Sequence, residues 1–306
     1  MTPLPSIRQL HYLLTLSEHL NFTRAAEACF VTQSTLSTGL RELEDLLGVK
    51  LVERDRQTVL MTPIGQEITQ RARHILAATQ DLVDSAAQML APMSGQLRLG
   101  IIPTIAPFLL PSAVNCLRER YPQLQLALRE DLSARLIARL EDGQLDFALI
   151  ALPYATGNLL VMPLFDDAFH VVAQKGDPEI RAKTIKASPE LTRRLLLLEE
   201  GHCLRDHVLH ACGKSASPSP LGMEATSLLT LLQMVESGLG IALVPEMVIN
   251  SGLATRPGLQ TRPLAPPVPT RTIALIARRS TPRQEEMLVL GEIFRAVAFP
   301  DKPEKL

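Results

Sequence analysis

The chain has 306 residues, 46% hydrophobic and 21% charged, with a formal net charge of −1. That length and apolar share support two or three domains with separate cores, and they exclude a disordered or low-complexity chain. No 18-residue apolar run occurs, and the opening MTPLPSIRQL has neither a basic n-region nor an apolar h-region, so the expectation is a cytoplasmic protein without a membrane span or signal peptide.

Up to about residue 90 the chain reads as helices. IRQLHYLLTLSEHL places Ile7, Leu10, Leu13, Leu14 and Leu20 near a helical repeat, and NFTRAAEACF offers Thr23 as the N-cap of a small-residue helix. VTQSTLSTGLRELEDLLG is a third helix, with Val31, Leu36, Leu40, Leu43 and Leu47 on its inner side and Gly48 as its stop. KLVERDRQTVLMTP has strand character at each end and a charged centre, so it reads as a hairpin. Pro63 then starts a long helix with apolar positions at Ile64, Ile68, Ile75, Leu82 and Met89. Such a helix has no core of its own and is expected to pair with a second copy.

Helix, turn, helix and charged hairpin together make a winged helix-turn-helix, whose second motif helix enters the major groove. Its leading residues are Thr32, Gln33, Ser34, Thr35, Ser37 and Thr38, with Arg41 farther along to meet phosphate. Thr23 and Arg24 stand at the preceding helix, and Arg54 and Arg56 on the hairpin would reach the neighbouring backbone. Taken alone, a Ser/Thr run is equally a capped helix start. Charge adds a constraint. Within residues 1–65, Arg8, Arg24, Arg41, Lys50, Arg54 and Arg56 are offset by Glu18, Glu27, Glu42, Glu44, Asp45, Glu53 and Asp55. A domain that is not basic binds DNA weakly as a single copy and needs linked copies.

APMSG, residues 91–95, marks a boundary, after which the period changes. QLRLGII, LQLALRE and LDFALIAL read as strands alternating with helices, and LLLLEE, GMEAT and IALVP repeat the pattern later. The final RTIALIA and the helix after it return to the first half. Alternation of this sort predicts parallel sheets covered by helices, in two halves with a cleft between them.

FTRAAEACFVTQSTLSTGLRELEDLLGVKLVER, residues 22–54, with LMTPIG at 60–65, resembles the DNA-binding domain of LysR-type transcriptional regulators. Ser34 replaces a proline common in that family, and Val52 replaces its usual phenylalanine. The resemblance implies a winged helix-turn-helix at 1–66, a linker and dimerisation helix at 67–92, and a two-lobed α/β effector domain of the periplasmic-binding-protein kind at 93–306. Lobe I would comprise about 93–165 with 269–306, and lobe II about 166–268. It also implies promoter DNA and RNA polymerase as partners, and dimers assembled into tetramers.

Four cysteines remain. In a reducing compartment they are expected as thiols, any disulfide being catalytic or sensing. Cys29 and Cys116 read as small buried hydrophobes. Cys203 and Cys212 lie nine positions apart in EEGHCLRDHVLHAC. On one helix that separation is a rise of about 13.5 Å, against the ~7 Å limit for bonded cysteine Cα atoms. GHCLRD with the second cysteine, LLLLEE before it and IIPT at 101–104 resemble the hydrogen peroxide sensors among LysR-type regulators. By that resemblance Cys203 is the peroxide-reactive thiol and Cys212 its resolving partner, while Thr104, Ser133, His202, Asp206 and Arg271 line the peroxide pocket.

A first-turn position favours a thiolate at Cys203, whereas Asp206, three positions on, opposes it. His207 and His210 could join a cysteine on a metal, but the reading is no metal and no cofactor. Three functions follow: a peroxide-sensing regulator switched by a Cys203–Cys212 disulfide, a LysR-type regulator answering a small metabolite in the cleft, and a thiol peroxidase. The first is the reading taken, and it is not an enzyme.

Overall fold

A computed structural model describes residues 4–54, 59–88, 93–186, 189–212 and 223–299. The chain divides into two compact units, one built on residues 1–90 and one on the rest, with residues 141–144 grouped with the first.

In the first unit, α1 (Ile7–His19) starts at a capping box in which Ser6 and Gln9 satisfy each other's backbone. The next helix, α2 (Phe22–Ala28), is capped by Asn21, whose side chain accepts from Arg24 N–H. The expected cap Thr23 lies inside the helix instead, because Asn21 has the extended backbone that a cap requires. Helix α3 (Gln33–Leu47) begins at the Thr32 cap and stops at Gly48, which adopts φ +69°. Leu36, Leu40 and Leu43 are buried, as their spacing requires, whereas Leu47 is largely exposed. Gly39 is needed where α1 crosses α3, since a Cβ there would meet the Tyr12 ring at 2.9 Å.

The wing pairs β1 (Val52–Arg54) antiparallel with β2 (Val59–Met61). Its tip, including Arg56, and the side chain of Arg54 lie outside the described residues. Helix α4 (Pro63–Gln88) packs Ala72 and Ile68 on the small core, while Ile75 and Leu82 stay exposed. Met89 and residues 91–92 are outside the described part.

The second unit opens with β3 (Gly95–Ile101), α5 (Ala106–Arg120), β4 (Leu124–Glu130), α6 (Ser133–Glu141) and β5 (Phe147–Leu152). Here β3 pairs parallel with both β4 and β5, as βαβ connections require. Next comes β6 (Leu159–Gln174), a 16-residue strand absent from the sequence reading. The chain continues through α7 (Pro189–Arg193), β7 (Leu197–Leu198), α8 (Cys203–Ala211), β8 (Glu224–Ala225), α9 (Leu228–Glu236), β9 (Ala242–Pro245) and α10 (Glu246–Asn250). It closes with β10 (Leu259–Pro263), β11 (Thr270–Arg278) and α11 (Gln284–Ala298).

The sheet is not the parallel pair expected. One seven-stranded mixed sheet runs β10-β6-β11-β5-β3-β4, with β9 also on β6. Strand β6 pairs antiparallel with β11 along its first part and with β9 and β10 along its second, so it belongs to both halves. Pro163, which has no N–H to give the ladder, falls at a register shift opposite Ile273 and Ala274. Strands β7 and β8 form a separate parallel pair.

Two cores flank this frame. One gathers β3, β5, α5 and α11 around Phe147 and Phe294; the other gathers β6, β9, α8 and α9 around Phe169 and Leu232.

Candidate functional site

In the DNA-binding unit, Thr23, Arg24, Thr32, Gln33, Ser34, Thr35, Thr38 and Arg41 are all exposed, and Ser37 is half-buried. Thr32 Oγ1 accepts Thr35 N–H at 3.2 Å and lies 2.9 and 2.8 Å from the hydroxyls of Ser34 and Thr35. One threonine thus caps the helix and ties its first turn into a hydroxyl cluster. Glu44, nearer the C-terminal end of the same helix, is buried and accepts from Leu51 N–H, Val52 N–H and Lys50 Nζ. Burial pushes its carboxyl up, but the bonds from Lys50, Leu51 and Val52 outweigh that and hold it below its ordinary value. The half-buried Cys29 has its sulfur 3.7 Å from His11 Nδ1, more polar company than a buried hydrophobe would have.

The second candidate site is built around α8. After β7 the chain turns at Gly201, whose φ of +97° lies in the region that favours glycine, and His202 becomes the N-cap residue. The His202 side chain makes no cap bond. Its buried ring is 3.8 Å from a Glu199 oxygen and engages the Thr226 backbone. Burial holds that imidazole below its usual pKa against the pull of both neighbours. Arg205 points back, donating to Leu198 C=O at 2.9 Å and to Glu224, and so clamps α8 onto β7 and β8.

Cys203 is 4% exposed and belongs to the first core, while Cys212, the C-cap of α8, packs half-buried on the second. Both are free thiols. With α8 intact between them, about 13.5 Å of helical rise separates their Cα atoms.

Burial pushes the Cys203 thiol up. The Arg271 guanidinium, the Ser133 hydroxyl and the Leu204 N–H pull it down, Asp206 adds to the upward push, and burial prevails. The thiolate favoured by a first-turn position is therefore not the resting form: the local donors are too few to replace water around a buried sulfur. Cys212 is also pushed up by burial. Ser133 Oγ is fully buried and makes no hydrogen bond of good geometry.

Arg271 is the hub. Fully buried on β11 opposite Asp167 of β6, it bonds Asp167 Oδ2 through Nε (3.1 Å) and Nη2 (3.0 Å). Nη1 donates to Thr104 Oγ1 (2.9 Å), and Nη2 donates to Thr104 C=O (3.0 Å). Asp167 Oδ1 accepts from Met247 N–H at the start of α10 (3.1 Å). Thr104, Ser133, Cys203 and Arg271 thus come together from four elements.

Asp206 is exposed, near enough to raise Cys203 and, with it, Tyr154. His207, considered only as a metal ligand, is 5% exposed, and its Nε2 is 2.9 Å from Pro153 C=O. Burial holds it below its ordinary pKa, and the nearby Arg271 charge acts in the same direction. Asp167, Met247 and Tyr154 were not read from the sequence, and His207 was not read as a neighbour of Cys203. An acidic pair inside the apolar run LFDDAFHVV was the available signal for Asp167, and the four-residue offset from Cys203 was the signal for His207. No group of three metal-ligating side chains occurs among the described residues.

A separate cavity of about 180 Å³ lies between α5, β6, α10 and the end of α11, lined among others by Phe108, Phe165, Asp167, Glu246 and Met247.

Residues 7–66 match the family described as bacterial regulatory helix-turn-helix protein, lysR family, and residues 91–298 match the LysR substrate binding domain. The chain is 46% identical to the HTH-type transcriptional regulator EstR of Acinetobacter baylyi over 299 residues, covering 97% of this chain and 98% of that one. It is 37% identical over 291 residues to the hydrogen peroxide-inducible genes activator of Escherichia coli, covering 95% of each. A solved structure of full-length OxyR from Pseudomonas aeruginosa, carrying a cysteine-to-aspartate change, superposes with a TM-score of 0.80 at 36% identity. The match covers 98% of this chain and 99% of that one.

Proposed function

The chain belongs to the LysR family of DNA-binding transcriptional regulators, and on that premise we propose that it senses hydrogen peroxide through Cys203 and Cys212. The observation that carries this reading is the placement of two free thiols at the two ends of α8, each against a different core. Attack of Cys203 on peroxide forms an S–O bond, breaks the O–O bond and leaves a sulfenic acid and water. Condensation with the Cys212 thiol then gives the disulfide and a second water.

The disulfide requires α8 to unwind and Cys203 to leave its core. A covalent event therefore becomes a change of packing. The similarity to a hydrogen peroxide-inducible activator supports the same reading. Exposed Ile75 and Leu82 on α4 suit pairing of two copies, and Gln33, Ser34 and Arg41 suit contact with promoter DNA in the cytoplasm.

A second reading has its own support. EstR, at 46% identity, is named without reference to peroxide, and the cavity beside Asp167 has room for a small metabolite. Footprinting on promoter DNA, reduced and after peroxide, with thiols counted on the same samples, separates the two. Peroxide sensing predicts a footprint change that accompanies loss of two thiols and is abolished by Cys203→Ser. A footprint unchanged by peroxide, with both thiols intact, would sink it, and a metabolite sensor keeps its induction in that variant.

A further inference from the structure

Peroxide reduction leaves a proton to be placed, and the resting thiol holds it in a buried site where burial disfavours the thiolate. His207 follows Cys203 by four residues on α8, so the two share a helix face with Cβ atoms about 5–6 Å apart. The His207 Nε2 faces the Pro153 carbonyl at 2.9 Å. A carbonyl oxygen accepts only, so this bond fixes the neutral tautomer with the proton on Nε2 and a bare lone pair on Nδ1. That Nδ1 is buried and has no hydrogen-bonding partner. A buried polar atom left unpaired is costly to keep, and here that atom is a base one helical turn from a nucleophile that must lose a proton.

We propose that His207 is the base for Cys203: Nδ1 takes the thiol proton, directly or through one bridging water, as sulfur attacks, and returns it to the leaving group. This rests on the peroxide reading above. Sulfur gives up two electrons as the S–O bond forms and the O–O bond breaks. The proton passes through His207 to the departing hydroxide, giving sulfenic acid and water. The charged groups around the pair suit such a transfer. Arg271 on β11 influences both Cys203 and His207, which favours a developing thiolate and keeps the imidazole neutral at rest, and His210 acts on the imidazole like Arg271. Asp206, the negative group on the same helix, steadies the imidazolium once it forms. Tyr154, the nearby phenol, is itself held protonated by burial, by the neighbouring Cys203 sulfur and by the Asp206 charge.

The test compares the full chain with His207→Gln, whose amide can still donate to Pro153 C=O. Oxidation of Cys203 by hydrogen peroxide and its alkylation by iodoacetamide are both followed peptide by peptide from pH 5 to 9. With a base in place, the rates hold level around neutrality and fall only below the ordinary histidine range, where Nδ1 is protonated. Without it, the rates track thiolate and rise about tenfold per pH unit. At neutral pH the variant is expected to be slower by about 10²–10⁴-fold.

Equal rates and equal profiles in the two proteins overturn the proposal. So does a tenfold-per-unit slope through neutrality in the unaltered chain, which needs no variant to be measured. If peroxide leaves Cys203 untouched while the alkylation profiles still differ as described, the peroxide reading fails and His207 stands as the base of that thiol.

Discussion

Glu44 in the DNA-binding domain and Arg271 in the regulatory domain are both buried charges, satisfied over very different spans. Glu44 accepts from backbone N–H groups seven and eight residues away, whereas Arg271 draws on Thr104, 167 residues off, and Asp167, 104 residues off. The first arrangement stiffens one corner, the entry to the wing. The second ties β11, β6, the turn after β3 and the start of α10 into one polar knot beside Cys203. Polar order in the DNA-binding domain is thus local to the wing entry, whereas the regulatory domain concentrates its own where four distant segments meet beside Cys203.

The comparison is broken most directly at Asp167. Asp167→Ala leaves a fully buried guanidinium without its counter-charge and frees the Met247 N–H, and a loss of about 3–5 kcal/mol is expected. Denaturant unfolding of the full chain, followed by circular dichroism because the sequence has no tryptophan, measures it. Replacing Asp167 and Arg271 together by Leu and Met should recover much of that loss, since a buried pair and an apolar pair of similar volume are nearly equivalent. A double variant as unstable as the single one would mean that the knot holds the fold through its geometry rather than its charge balance.

The same contrast explains what could be read in advance. Helix α3 was legible as far as its Gly48 stop, and its Ser/Thr run signalled a capped start without singling out Thr32, because caps and stops act within one turn. The mistaken cap of α2 was a choice between Asn21 and Thr23, two polar residues two positions apart, which only the backbone distinguishes. Strand β6 was hidden because Pro163, Asp166 and Asp167 interrupt its apolar pattern. Each interruption is answered by a distant residue: the shift opposite Ile273 and Ala274, the Thr272 hydroxyl at 2.6 Å from Asp166, and Arg271. Of the residues that resemblance placed around Cys203, Arg271 bonds Thr104 and acts on the thiol together with Ser133, whereas the His202 ring turns to Glu199 and Thr226 and Asp206 is exposed. Asp167, Met247, Tyr154 and His207 matter through contacts or fields between residues far apart in the chain, and the upward shift of the Cys203 thiol follows mainly from burial, with Asp206 adding to it.

At Glu44 the expected cost is smaller and depends on pH. Its partner Lys50 has a side chain 71% exposed, so the ion pair itself contributes little. The bonds to Leu51 and Val52 carry the effect, and Glu44→Ala should cost about 1–3 kcal/mol. Because the folded carboxyl titrates below its unfolded value, its contribution is complete above the ordinary glutamate pKa and disappears as pH falls through the lower folded one. The stability difference between the unaltered chain and Glu44→Ala should therefore narrow on acidification. A gap that stays constant from neutrality into acid would mean the carboxylate charge has no part in holding the wing.

The smallest effect belongs to Thr32, where structure and recognition meet. Thr32→Ala removes the hydroxyl that accepts Thr35 N–H and gathers Ser34 and Thr35, which should cost about 1 kcal/mol. Thr32→Ser restores the cap. If Thr32 acts only as a cap, Thr32→Ser recovers both stability and DNA affinity in gel-shift titrations. If its methyl also touches a base edge, stability returns while affinity for the preferred sequence stays reduced. A single DNA-binding domain carries more acidic than basic residues, so in the proposed dimer a contact made by Thr32 counts in both copies, and a loss per copy is squared in the affinity.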